Sequence, residues 1–239
     1  MKPLILFLLL VGSAVMAQTT FQEQAARLQN INAYLLDFRP ATAPIKFDSS
    51  TLELSFDINP QPGVNARIGN KDEPLDPPSV VPKLRGRYVH KTGFFAGGAV
   101  APGIEFEGYK AKFFSVELGY RFGFAGLDGA VRLSYSDGDV DGPITAAAAN
   151  DTFTFTNNGG DITLGKSFGA WHCYGFAGGI STDTELDIEE DGVHLDNDDS
   201  TYYGGVGLTY DWRSFGITVE QNFTDDYLAN LILGIGYRF

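Results

Sequence analysis

Ten charged side chains alternate with apolar neighbours along this chain, and extended strands would gather them on one face. They are Glu53, Asp57, Arg67, Lys83, Arg85, Arg87, Glu117, Arg121, Arg132 and Glu220. Successive side chains of a strand point to opposite sides, so each charge faces away from the apolar residues beside it. Lys83, Arg85 and Arg87 stand two residues apart and form a basic ladder, with ~7 Å from one side chain to the next. In an open, water-filled passage such a ladder attracts anions, because rows of charge tune selectivity. Facing Glu53, Asp57 or Glu117, it is neutralised and helps to fill a closed interior. The second reading is favoured, since small closed sheets are commonly filled by side chains.

Other candidates carry less chemistry. Asp187, Glu189, Glu190, Asp191, Asp196, Asp198 and Asp199 crowd one segment, and carboxylates suit hard cations. Asp196-Asn197-Asp198-Asp199 nevertheless lacks the glycine and the distal glutamate of an EF-hand loop, so a solvated acidic loop is expected. The histidines are His90, His172 and His194. None has a second ligand at metal-like spacing, and neither a metal nor any other cofactor is expected. His172 and Cys173 are neighbours in a strand and face opposite ways, so they cannot act directly as base and nucleophile. His194, set among acids, is the one candidate for hydrolysis at a rim, and a non-enzyme is the expectation. Gly97-Gly98, Gly159-Gly160 and Gly178-Gly179 precede no Lys-Ser/Thr and no helix, so they read as bends in strands and not as phosphate cradles.

The elements that must position these groups show a period of two. Leu52, Leu54, Phe56 and Ile58 alternate with Thr51, Glu53, Ser55 and Asp57; Phe114, Val116, Leu118, Tyr120, Phe122 and Phe124 oppose Ser115, Glu117 and Arg121. Such alternation marks strands with one apolar and one polar face. Further runs fall at 64–69, 82–90, 94–106, 129–137, 152–168, 171–183, 201–211, 215–222 and 227–239. The 152–168 run loses parity around Asn157 to Gly160, which predicts a bulge, a twist or two pieces. Eleven runs result. Residues 36–47 would supply a twelfth strand, the preferred count; dropping the weak 64–69 run leaves ten. Short connections (His90–Gly93, Ala125–Asp128, Gly169–Ala170, Asp211–Ser214) alternate with longer or more polar ones (Lys71–Val81, Asp137–Asp151, Thr184–Ser200). Aromatic residues gather near both strand ends: Tyr120, Phe122, Trp171, Tyr210, Trp212, Phe215 and Tyr237 at one, Phe106, Phe114, Tyr135, Phe153, Tyr202 and Tyr227 at the other. The neighbours Glu117 and Leu118 must face opposite sides, so Leu118→Arg is expected to harm folding much more than Glu117→Gln.

In the last strand Leu231, Leu233, Ile235, Tyr237 and Phe239 share one face, and Phe239 is the final residue. This resembles the closing strand of bacterial outer-membrane β-barrel proteins. The resemblance implies an antiparallel transmembrane β-barrel, here of about 10–12 strands. It also implies that Tyr237 and Phe239 serve as a signal read by the barrel-assembly machinery, and that outer-membrane lipids are partners. The beginning of the chain agrees: Lys2, the apolar run Leu4 to Val11 and Val15-Met16-Ala17 read as a signal peptide over residues 1–17. Residues 18–46 read as a periplasmic or plug segment, with a short helix over Phe21 to Leu36 that ends before Pro40. Residues 47–239 read as the barrel. A formal charge of −13 argues against nucleic acid, whose phosphates would repel the chain. Oligomeric state is not legible. The expected role is a non-enzymatic outer-membrane scaffold or a narrow passage for small solutes or apolar ligands. The rivals are an adhesin or receptor using the acidic segments, a rim hydrolase at His194, and a secreted β-sandwich.

Overall fold

The computed structural model describes residues 21–37, 39–60, 80–145, 149–189, 192–224 and 230–239. The expected signal peptide, Arg67 and the weak 64–69 run lie outside the described residues. One helix, α1 (Phe21–Leu36), precedes ten strands: β1 (Thr51–Pro60), β2 (Val80–Val89), β3 (Phe94–Phe106), β4 (Tyr109–Phe124), β5 (Leu127–Gly142), β6 (Asp151–Phe168), β7 (Trp171–Ile188), β8 (Val193–Trp212), β9 (Phe215–Thr224) and β10 (Asn230–Arg238). Each strand pairs antiparallel with its neighbours in sequence, and β1 pairs with β10, so the sheet closes into a barrel. Closure joins the first and last strands, so neither is a sheet edge there. No described helix is long and apolar enough to cross a membrane.

One end of the barrel is built from tight turns. At Ala125-Gly126 both residues have positive φ (52° and 77°), the conformation of a two-residue hairpin turn, and glycine takes it without strain. At this end β10 also finishes, with the Phe239 amide donating to the Leu52 carbonyl (3.0 Å). The opposite end is uneven. Strands β1, β2, β9 and β10 have 9 or 10 residues, whereas β6, β7 and β8 have 18, 18 and 20. A tilted strand crosses a bilayer in ~9–11 residues. The short side therefore matches a bilayer, and the long strands stand as a wall beyond it.

Strand β6 shows what that wall does to the pattern. In its lower half Ile162 and Leu164 face outward, while Asp161 and Thr163 are buried. In its upper half the faces exchange character: Phe153 and Phe155 are buried inside, at 1% and 0% exposure, and Thr152, Thr154 and Thr156 face out. The register with β5 and β7 is unbroken. The expected bulge at Asn157 to Gly160 is absent: orientation is constant, and only the surroundings of each face change. The register shift of the sheet lies in β3, between Pro102 and Glu105.

Three further expectations are corrected. The barrel has ten strands rather than the preferred twelve, because residues 39–47 run through the interior and pair with no strand, and because β1 pairs directly with β2. The polar stretches 137–151 and 184–200 are mostly strand, the ends of β5, β6, β7 and β8. Phe153 belongs to the interior and not to an outer aromatic belt.

Candidate functional site in the barrel lumen

The interior is occupied by the chain's own N-terminal segment. Helix α1 lies within the tall wall, where Ala25, Leu28, Ala33 and Leu36 join Phe113, Phe153, Phe155, Leu186 and Ile188 in one apolar cluster. Polar contacts fix its depth. Gln29 Nε2 donates to the Leu195 carbonyl (2.8 Å), Asn197 Nδ2 to Asn30 Oδ1 (2.6 Å), and Asn157 Nδ2 to the Ala33 carbonyl (2.9 Å). The chain then descends through the lumen to the turn end before rising as β1.

The basic ladder meets this descending segment. Lys83 Nζ donates to the carbonyls of Leu36 (3.2 Å) and Asp37 (2.7 Å). Carbonyls at a helix C-terminus lack intrahelical partners, and a cation there also suits the helix dipole. The Arg85 guanidinium donates to the carbonyls of Arg39 (2.7 Å) and Pro40, and its Nε lies 3.3 Å from Asp57. Arg87 turns away from the segment and forms a bidentate pair with Glu117, Nε–Oε1 2.5 Å and Nη2–Oε2 3.0 Å. Glu117 also sits 3.5 Å from Arg132, which binds Asp161 at 2.5 Å. Arg121 joins the Ile45 carbonyl (2.9 Å) to Glu53 (2.8 Å). Glu220 accepts from the Ala41 amide (2.9 Å) and from the Tyr174 hydroxyl (2.7 Å). The Tyr174 ring reaches that position over Gly207, where a Cβ would stand 2.1 Å from it.

The segment carries charges of its own. Arg39 lies between the Tyr34 and Tyr203 rings, 3.9 and 3.8 Å from their centroids, and pairs with Asp37 at 3.1 Å. The lumen cations Arg39, Lys83, Arg85, Arg87, Arg121 and Arg132 thus each lie against a carboxylate or a backbone carbonyl, and Arg238 continues the network with Glu53 and Asp211. Cations held in this way exert little pull on a free anion. Burying each ion costs several kcal/mol, so such groups persist only with multiple partners, and most here have two or more. Two gaps between segment and wall among the described residues are small, one of about 40 Å³ beside Ala41, Asp57 and Arg85 and one of about 20 Å³ beside Pro44 and Arg121. Each has room for a water molecule or two.

Nine of the ten charges singled out from the sequence thus lie together in the lumen, and Arg67 falls outside the described residues. Alternation missed Asp37, Arg39 and Asp161, although Asp161 shares the inward parity of Phe153 and Phe155. It also missed a chain of contacts at the turn end. Ser167 Oγ lies 2.8 Å from His172 Nδ1, His172 Nε2 lies 3.0 Å from Asp211, and Arg238 lies 2.6 Å from Asp211. Serine, histidine and aspartate in this order are the elements of a hydrolytic triad. Here, however, the Ser167 hydroxyl donates to Asp128 (3.0 Å). The hydroxyl is a link in a chain of hydrogen bonds across β5, β6, β7, β8 and β10. Cys173 is exposed on the other face. At the wall, His194 bridges Asp187 (2.5 Å) and Asp196 (2.9 Å) on the outer surface. No group of three or more His, Cys, Asp or Glu among the described residues could hold a metal ion.

The outer surface completes the geometry. Leu54, Phe56, Leu84, Val116, Leu118, Leu133, Ile162, Val206, Ile217 and Ile235 are exposed around the barrel. Phe94, Phe124, Phe168, Trp171, Trp212 and Phe239 project at the turn end, and Phe114, Tyr135, Tyr202 and Phe223 project higher up. An apolar band between two aromatic belts is the outer face of a barrel in a membrane. The chain resembles bacterial outer-membrane β-barrel proteins. No family model matches it, and no curated protein does. Solved structures to which the chain is similar include Ail, the attachment invasion locus protein of Yersinia pestis (13% identity, 81% of this chain and 100% of that one, TM-score 0.34). The translocator domain of the autotransporter NalP from Neisseria meningitidis is another (10% identity, 90% and 94%, TM-score 0.35). A third is the toluene transporter TbuX of Ralstonia pickettii (8% identity, 84% and 91%, TM-score 0.36). These scores are low, and the fold is established by the closed ten-strand sheet of the chain itself.

Proposed function

We propose that this protein is a plugged, non-enzymatic barrel of the bacterial outer membrane, serving as a rigid scaffold that carries a polar wall above the lipid. The turn end faces the periplasm and the wall faces outward, in keeping with short periplasmic turns in such barrels. The supporting observation is the filled lumen: residues 39–47 thread it, Lys83, Arg85 and Arg121 donate to the carbonyls of Leu36, Asp37, Arg39, Pro40 and Ile45, and Arg87 is paired with Glu117. Passage of a solute would require this segment to move, so the scaffold reading is preferred to the passage. Catalysis is disfavoured because the Ser167 proton goes to Asp128. Tyr237 and Phe239, at the lipid-facing end of β10, are the residues proposed to be read by the barrel-assembly machinery. Fractionation with a heat-modifiability gel tests the reading, since a barrel resists detergent unfolding until boiled. The chain should appear in the outer-membrane fraction and shift its migration on boiling; recovery as a freely soluble protein would contradict fold and place together.

One observation favours a second reading, a receptor or adhesin. The outer face of the wall presents Asp137, Asp139 and Asp141 on β5, Asp183, Glu185 and Asp187 on β7, and Asp196 and Asp198 on β8, with threonines of β6 between them. Replacing residues 181–200 with a short turn and measuring binding of cells to basic surfaces separates the two. A scaffold loses nothing; a receptor loses its binding.

A further inference from the structure

One part of the lipid-facing band is concave. Across β2 to β5 a row of outward residues reads Tyr88, Ala96, Leu118, Leu133. Ala96 is the one small side chain in it. The result is a groove of about 790 Å³ with an almost wholly apolar lining. Its lower lip is the Phe94–Tyr120 pair, with ring centroids 4.9 Å apart. It opens on the β2–β3 turn, where His90 lines it and bonds Thr92 (2.8 Å).

The same turn carries Lys91, which is exposed and forms no ion pair among the described residues. The other exposed cations beside strand ends here differ. Lys166 lies over the Phe168 ring and Arg213 over the Trp212 ring, each 5.5 Å from the centroid. Lys46 is also exposed on the approach to β1, and Asp48 is the acid beside it. In a chain whose net charge of −13 repels anions overall, the groove thus joins an apolar trough to a free ammonium at the level of the lipid headgroups. A basic group beside an apolar groove at headgroup level matches the two ends of an acidic lipid.

We propose that this groove is a binding site for an anionic glycerophospholipid of the periplasmic leaflet, with one acyl chain lying over Ala96 between Tyr88 and Leu118 and the phosphate on Lys91. The site rests on the membrane placement proposed above. Ala96→Trp fills the trough on a face that already bears aromatic rings, so the barrel is left intact. Lys91→Glu reverses the charge in an exposed turn.

The test is native mass spectrometry of the full chain, released from mild detergent after exposure to an equal mixture of phosphatidylglycerol and phosphatidylethanolamine. Heat-modifiability is read on the same samples. The unmodified protein should retain one lipid, with a roughly fivefold preference for phosphatidylglycerol from one basic group. Ala96→Trp should lose the retained lipid while still shifting on boiling; Lys91→Glu should keep a lipid but lose the preference. A folded, heat-modifiable protein that retains no lipid, or retains both equally, overturns the proposal without touching the barrel reading. A dimer abolished by Ala96→Trp would show that a second copy fills the groove. Lack of any heat shift in the unmodified protein would defeat the barrel reading first, and the site with it.

Discussion

Glu117→Gln should destabilise this barrel by about 3 kcal/mol or more, no less than an arginine placed on the lipid face next to it. Glu117 is fully buried and binds Arg87 through both oxygens, with Arg132 at 3.5 Å. Removing one partner of a buried pair costs about 3–5 kcal/mol, because the other charge stays buried without compensation. Two features hold the loss to the lower end: Glu53 remains 3.8 Å from Arg87, and Asp161 remains 2.5 Å from Arg132. Leu118 is 65% exposed on the lipid face, where an arginine near the midplane costs roughly 2–4 kcal/mol. The alternating pattern alone ranks Leu118→Arg as much the worse, on the assumption that water would compensate a lumen charge. The packed segment leaves room for only a water molecule or two beside Arg87 and Arg132. Urea unfolding of protein reconstituted in liposomes, followed by tryptophan fluorescence, measures both variants. The double change Arg87→Gln/Glu117→Gln should recover part of the loss relative to the sum of the single changes, since it removes both members of the pair. A loss below about 1 kcal/mol for Glu117→Gln, the range of exposed pairs, would show that the lumen is wet and would refute the reasoning.

Other outcomes follow from the same geometry. The triple change of Lys83, Arg85 and Arg87 to Gln removes donors to four carbonyls of the N-terminal segment, so the boiling shift should occur at a lower temperature; an unchanged transition would mean that the segment is held by α1 alone. Phe239→Asp puts a charge where an exposed ring packs on Tyr237 (4.6 Å between centroids), and should reduce the assembled barrel while export continues; normal membrane levels would contradict the role given to the last strand. At the wall, the hydrogen bond with Asp187 and the charge of Asp196 raise His194 above the ordinary 6.5. A raised folded-state pKa means that this tie supports the hairpin fully below the ordinary value and is lost as pH climbs through the raised one. The His194 ring protons followed by NMR should titrate above 6.5 and move back in Asp187→Asn; an unchanged midpoint in that variant would refute the pairing.

How much was legible in the sequence depended on what each face touches. In Leu52 to Ile58 and Phe114 to Phe124 the outside meets an apolar band and the inside meets charge, so a period of two gives both strand and orientation. The upper halves of β5 to β8 reverse this arrangement, with water outside and α1 inside. Asp183, Glu185 and Asp187 then look like a loop although they alternate with buried Thr184, Leu186 and Ile188. Residues 36–47 look extended and invite a strand. Their carbonyls are taken by Lys83, Arg85 and Arg121, side chains 76 residues away in the case of Ile45 and Arg121, and no local pattern records that. Nine of the lumen charges were readable by parity, and Asp37, Arg39 and Asp161 were not. Nor were the pairings: Arg87 meets Glu117 across 30 residues and Arg121 meets Glu53 across 68, distances set by the closure of the sheet.

The central claim is that residues 39–47, held by lumen cations, shut the barrel. Conductance of the folded, heat-modifiable protein in planar bilayers tests it most directly, with the triple Gln variant alongside at low salt. A plugged barrel gives no steady conductance before the change, and any current in the variant comes as brief openings of a loosened segment. A stable, anion-selective conductance in the unmodified protein that the triple change abolishes would contradict the account and make the basic ladder the lining of an open pore.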